Sequence, residues 1–209
     1  MNALILVDIQ YDFIPGGALA VAKGDTIIPL VNQLIPHFEL IVATQDWHPQ
    51  YHESFASQHP GKQVGEVTDL YGLPQVLWPD HCIQKTKGAE LVADLHQSTI
   101  QRVFPKGTDA TIDSYSGFFD NGHRKATGMG DYLKEKGVER VFVVGLATDY
   151  CVKFTALDAQ ELGFETYVFA DATRGVNLAP DDTQKALEEM TAKGIHVLSG
   201  SEWLNQRTQ

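Results

Sequence analysis

Cys151 stands in the run Gly145-Leu146-Ala147-Thr148-Asp149-Tyr150-Cys151-Val152, where an apolar, strand-like stretch gives way to a helix-like pattern. A thiol in the first turn of a helix faces unpaired backbone N–H groups and the positive end of the macrodipole, and both favour thiolate over thiol. That address suits a nucleophile for covalent catalysis; the plainer use of the same residue is as a small buried hydrophobe. Polar residues close other apolar runs in the same way. Asp8 ends the first run, Asp46 and His48 follow the second, and Lys106 follows the third. If these runs are parallel strands, their side chains gather with Cys151 along one edge of a sheet. Each also has an ordinary use, a turn or helix cap for the aspartates and a solvated cation for the lysine.

Asp46-Trp47-His48 places two metal-binding side chains on one side of an extended backbone, because alternate residues share a face. His81, in Trp78-Pro79-Asp80-His81-Cys82, could supply a third ligand. One carboxylate and two imidazoles leave open positions for water or substrate, and they suit zinc, iron or manganese, among which the spacing does not choose. His52 and His59 compete for the same task in a chain of eight histidines.

These groups need elements to hold them. Apolar runs at Ala3 to Ile9, Leu40 to Thr44, Ile100 to Phe104, Arg140 to Gly145, Glu165 to Ala170 and Ile195 to Leu198 are mostly continuous rather than alternating. Such runs suit parallel strands covered on both faces. Helical patterns lie between them at Thr26 to Phe38, Arg124 to Lys136, Asp149 to Leu162 and Asp181 to Lys193, several closed by glycine. The alternation predicts an α/β fold: an open, mostly parallel six-stranded sheet with helices on both faces, a three-layer Rossmann-like arrangement. At 209 residues and 43% hydrophobic content, one domain over 1–209 is expected. The connection from Thr44 to Gln84 is long but rich in aromatic residues, so it reads as a functional insertion, extending around 46–98, and not as disorder.

A formal charge of −11 disfavours nucleic acid and anionic membrane surfaces, and points to a small, neutral or weakly charged ligand. No apolar stretch approaches membrane-spanning length, and the first run has no basic leader. Two distant cysteines, Cys82 and Cys151, read as reduced thiols, and a cytoplasmic location is expected. Assembly into a homo-oligomer is compatible with the sequence.

Taken in order, the motifs match a known family. The pieces are Leu6-Val7-Asp8-Ile9-Gln10-Tyr11-Asp12-Phe13, Thr44-Gln45-Asp46-Trp47-His48-Pro49, Leu77-Trp78-Pro79-Asp80-His81-Cys82, Phe104-Pro105-Lys106-Gly107, Asp113-Ser114-Tyr115-Ser116-Gly117-Phe118 and the segment around Cys151. With these the chain resembles the nicotinamidase/pyrazinamidase family of isochorismatase-like cysteine hydrolases over essentially its full length. The resemblance implies a catalytic triad of Asp8, Lys106 and Cys151 and a divalent metal on Asp46, His48 and His81. It also implies an oxyanion hole from the backbone of Ala147 and Cys151, with a cis peptide between Leu146 and Ala147. Substrate would be held by Phe13, Trp78, Tyr115, Leu146 and Ala147. The implied reaction converts nicotinamide or pyrazinamide to the acid and ammonia through a cysteine thioester, in NAD salvage. His52 falls where some relatives carry an additional histidine near the metal, and Tyr150 receives no role. A carbamoyl or ureido amidase would keep the triad without needing the metal ligands, and a noncatalytic metal-binding or ligand-binding module would use Cys151 only structurally. Metal-activated water acting without a covalent intermediate is the remaining alternative, and it would not depend on Cys151.

Overall fold

The computed structural model describes residues 1–207. Its strands are β1 (Asn2–Val7), β2 (Leu40–Asp46), β3 (Val67–Leu70), β4 (Leu73–Val76), β5 (Arg102–Lys106), β6 (Arg140–Leu146), β7 (Glu165–Arg174) and β8 (His196–Leu198). Six of them form the central sheet in the order β5-β2-β1-β6-β7-β8, while β3 and β4 make a separate antiparallel ribbon. Every neighbouring pair in the central sheet is parallel, so the expected six-stranded α/β architecture is present and is parallel throughout.

The helices are α1 (Ile28–Leu34), α2 (Met129–Glu135), α3 (Lys153–Glu161), α4 (Asp182–Ala192) and α5 (Gly200–Arg207). Successive residues of β1 alternate between two apolar cores. Leu4 and Leu6 pack with Ile28, Val31 and Leu34 of α1, and Trp203 of α5 lies against that core. Ala3, Ile5 and Val7 face Met129, Leu133, Ala156, Ala159 and Met190 of α2, α3 and α4. All five of these β1 side chains are fully buried, which is why the run is continuously apolar.

The structure shifts several sequence-derived boundaries. Helix α1 is short, with 3-10 turns at Gly24–Ile27 and Ile35–His37, and Pro36 falls where the regular helix stops. The stretch 124–127, expected to open α2, instead folds back on residues 118–120 through Thr127 N–H to Phe118 O (2.9 Å) and Asp120 N–H to Lys125 O (3.1 Å). The helix expected from Asp149 begins as a π-helical turn, Thr148–Val152, before α3 takes over. Helix α5 and the β3–β4 ribbon had no forecast.

The strand order reverses about β1, since β2 and β5 lie to one side and β6, β7 and β8 to the other. In an open parallel sheet, the crevice beyond the carboxyl ends at such a reversal is where ligands bind. Asp8, Asp46, Lys106 and the turn carrying Cys151 all sit at that end.

Candidate active site

Register accounts for the first contact. Asp46 and Lys106 are paired residues on adjacent strands β2 and β5, and their side chains form an ion pair of 2.5 Å. Lys106 Nζ also lies 2.8 Å from Asp8 Oδ2, donates to Ser114 O at 2.8 Å and approaches Cys151 Sγ at 3.4 Å. Thr44 Oγ1 donates to the other Asp8 oxygen at 2.6 Å. Asp8 has φ +49°, a left-handed conformation that aspartate tolerates better than most residues and that turns the chain just beyond β1. The expected trio of Asp8, Lys106 and Cys151 is therefore assembled from the ends of β1 and β5 and the turn after β6, with all three residues buried.

Electrostatics modify the simple picture of an activated thiolate. Burial pushes the Cys151 thiol well above its ordinary value; Lys106 opposes this without prevailing, and Asp8 and Asp46 add to it. Cys151 thus rests as a thiol, contrary to the expectation drawn from a helix first turn: desolvation outweighs whatever the turn's dipole contributes. Asp8 is raised too, by burial first and by Asp46, against the pull of Lys106. A carboxylate with a raised pKa is a stronger base toward a thiol beside it. Burial also works against charge on Lys106, but Asp46 and Asp8 outweigh it and hold the ammonium firmly protonated.

The second cluster shares Asp46. Its Oδ2 lies 3.5 Å from His48 Nε2 and 3.7 Å from His81 Nε2, while Oδ1 is taken by Lys106. Each imidazole is oriented through its other nitrogen. His48 Nδ1–H donates to Gly107 O at 2.8 Å and His81 Nδ1–H to Pro79 O at 2.7 Å, so in the neutral rings both Nε2 atoms are free to accept. His48 Nε2 is buried without a hydrogen-bond partner. Gly107 must be glycine, with φ +62° and a Cβ position only 2.4 Å from the His48 ring. Ligand atoms of Asp46, His48 and His81 fall within 4.8 Å of one another, a donor set of one carboxylate oxygen and two imidazole nitrogens. One ammonium faces two carboxylates here, so a cation at Asp46 Oδ2 would also balance charge. The residues fit a divalent metal.

His52 is placed differently. Its ring lies tilted against that of His48 with centroids 4.4 Å apart, but Nδ1 accepts from Ser54 N–H at 3.1 Å and Nε2 points at Ile112 O, 3.3 Å away. Both nitrogens are thereby occupied. His59 lies outside the cluster, with Nε2 against Glu53 O at 2.7 Å.

One pocket is shared by the two clusters, lined by Asp46, His81 and Cys151 together with Ala147, Phe13, Trp78, Tyr115 and Val176. The peptide between Leu146 and Ala147 is cis. Leu146 itself departs from its expected place: its side chain is wholly buried in the core, and only Ala147 of the pair lines the pocket. Sequence reading passed over several participants. Tyr150, given no role, stands edge-on to Trp78 at 4.9 Å and lines the pocket. Gln75 of β4 donates to the Tyr115 hydroxyl at 3.1 Å and approaches Asp113 Oδ2 at 3.3 Å, fixing the wall from behind. Phe55, fully buried, packs edge-on against His48 at 5.6 Å. Only their proximity in space reveals these residues, although Asp113 and Tyr115 stand in one of the quoted motifs.

Comparison with known proteins meets this geometry. The isochorismatase domain model matches residues 2–202. The nicotinamidase of Escherichia coli K12 is 49% identical over 206 residues, covering 97% of this chain and 96% of that protein. The chain belongs to the isochorismatase family, within its nicotinamidase/pyrazinamidase branch. Among solved structures, an Acinetobacter baumannii nicotinamidase/pyrazinamidase superposes with a TM-score of 0.94 at 49% identity, covering 97% of each chain. The pyrazinamidase of Pyrococcus horikoshii, determined in complex with zinc, superposes with a TM-score of 0.77 at 42% identity over 95% of this chain and 98% of that one. This branch is the one to which the sequence motifs point, and the buried cysteine beside an Asp/His/His cluster is consistent with it.

Proposed function

We propose that this chain is a nicotinamidase, hydrolysing nicotinamide, and pyrazinamide with it, to the carboxylic acid and ammonia in NAD salvage. The reading rests above all on one observation: Cys151 Sγ sits 3.4 Å from the Lys106 ammonium in a pocket that Asp46 and His81 share. Asp46, His48 and His81 would hold a divalent metal, zinc being first choice, which when bound supplies a Lewis acid to grip the ring nitrogen.

The chain's own residues carry the proton and the acyl group. Asp8 takes the Cys151 proton as sulfur attacks the carboxamide carbon, and Lys106 stabilises the negative charge that moves between them. Backbone N–H groups of Ala147 and Cys151 receive the developing oxyanion. Asp8 then returns the proton to nitrogen, the C–N bond breaks and ammonia leaves, so that Cys151 carries the acyl group as a thioester. Water attacks that carbon while Asp8 accepts its proton; the C–S bond breaks, the acid departs and sulfur recovers a proton. Phe13 and Trp78 hold the faces of the ring. Two free cysteines suit a reducing cytoplasm, where we place the reaction.

Cys151→Ala should abolish ammonia release from nicotinamide while leaving bound metal near the wild-type amount. If Cys151→Ser instead kept most of the activity, hydrolysis by metal-activated water would replace the thioester route.

A further inference from the structure

The segment beyond β1 carries two polar side chains that the chemistry above leaves without a task. Gln10 is fully buried, and all of its hydrogen bonds run to backbone. Its Nε2 donates to Asp46 O at 2.8 Å and to Ala89 O at 2.9 Å, and its Oε1 accepts from Asp46 N–H at 2.9 Å. One amide therefore grips the Asp46 residue by both of its main-chain polar groups, at the point where β2 ends. Asp12 holds the backbone beside the other two ligands. Its Oδ2 accepts from Cys82 N–H at 2.7 Å, next along the chain from His81, and its Oδ1 accepts from Ala18 N–H at 3.1 Å. The carbonyl of that same Cys82 accepts from His48 N–H at 2.9 Å. Cys82 has φ +47°, an uncommon conformation for a residue other than glycine, and the Asp12 carboxylate is the group holding its N–H in place. Gly88 makes room for that carboxylate, since a Cβ there would lie 2.1 Å from Asp12 Oδ2.

Taken together, Gln10 fixes the backbone of one candidate ligand, and Asp12, through Cys82, fixes the backbones on which the other two are mounted. We propose that Gln10 and Asp12 are positioning residues that pre-form the Asp46/His48/His81 metal site, so that the segment from Asp8 to Asp12 aligns the nucleophile's base and the metal ligands as one unit. This inference rests on the metal-site reading above. Its physical basis is that a metal site binds tightly when its ligands need no reordering, and that partners outside the ligands typically carry about ten- to a hundredfold in affinity.

Zinc affinity of the full chain, measured by competition with a chromophoric chelator, tests it. Gln10→Ala and Asp12→Asn should each bind zinc at least about tenfold more weakly than wild type. Asp171→Asn, which removes the β7 carboxylate that accepts from Gly200 and Ser201 N–H at the start of α5 and touches no residue of the cluster, should lower fold stability with zinc affinity unchanged, separating positioning from general weakening. Should Gln10→Ala fail to fold, Asp12→Asn decides alone, because Asp12 lies in a partly exposed 3-10 turn, Tyr11–Phe13. Wild-type zinc affinity retained within twofold by the folded variants overturns the proposal. A wild-type chain that takes up no zinc overturns the metal reading itself and the proposal with it, an outcome distinct from equal binding by all three proteins.

Discussion

Lys106 is the residue on which the buried charge depends. It is wholly enclosed, yet its ammonium touches two carboxylates, a carbonyl and the nucleophilic sulfur. Removing one member of a buried ionic group costs far more than the group's net contribution, because the remaining charges stay desolvated without compensation. Lys106→Met preserves length and apolar stem while deleting the charge, leaving Asp8 and Asp46 to face each other. The expected loss is about 3–5 kcal/mol of folding stability at neutral pH, together with ammonia release at background level. Urea unfolding followed by circular dichroism checks the first and a turnover assay the second; a denaturation midpoint matching wild type would show that the carboxylates do not need the ammonium. Lys106→Arg is no substitute, since a planar guanidinium cannot present one nitrogen to four partners clustered around a point.

At the scale of elements, the helix least visible in the sequence is held by one side chain from the sheet. Asp171 of β7 accepts from Gly200 N–H at 2.6 Å, Ser201 N–H at 3.1 Å and Ser199 Oγ–H at 3.0 Å, capping α5 from across the fold. Burial works to raise the Asp171 pKa, but the backbone donors at Ser201 and Gly200 outweigh it and lower the value below the usual carboxylate range. A depressed folded-state pKa contributes stability that is complete above the unfolded value, about 3.9, and disappears as pH falls through the folded one. Asp171→Asn should therefore cost about 1 kcal/mol at neutral pH, and that cost should shrink as pH drops below about 4. Denaturant melts of both proteins across that window test the sign; a constant difference would assign the loss to packing. This cap also shows what was legible. The central strands β1, β2 and β6 announced themselves because each is buried on both faces, and the polar residues ending strands mark the site. Helix α5 did not, since Trp203 docks it by stacking on Phe38 at 5.5 Å, a partner far away in sequence. The π-helical turn at Cys151, the Asp46–Lys106 ion pair and the Gln75–Tyr115 wall escaped for the same reason: they depend on register and on long-range contacts, which local periodicity does not encode.

Across the whole molecule, the described residues form three potential cation sites. His48, His52 and Asp113 make one, in which both His52 nitrogens are already hydrogen-bonded, and the other two lie so close that they share Asp46. One set is Asp46, His48 and His81; another is Asp8, Asp46 and Cys151. The second contains a soft sulfur ligand, but its space is already occupied by the Lys106 ammonium, 2.8 Å from Asp8 and 3.4 Å from Cys151. A divalent ion there would have to displace or repel a buried cation, whereas the first set offers two imidazole nitrogens and the Asp46 oxygen that Lys106 does not contact. Adding zinc to the metal-stripped chain should thus stabilise the entire fold, by about 2.7 kcal/mol at a hundredfold excess over the dissociation constant. For a chain of this size that raises the melting temperature by roughly 5–11 °C. The effect should resist added salt, unlike effects of the surface charge, because the cluster is buried and weakly screened. Cys151→Ala should keep the full zinc-dependent rise in calorimetry, and His81→Ala should lose most of it. The reverse pattern, a rise abolished by Cys151→Ala and retained by His81→Ala, would move the ion to the sulfur side of Asp46 and leave Lys106 without its assigned place between the carboxylates.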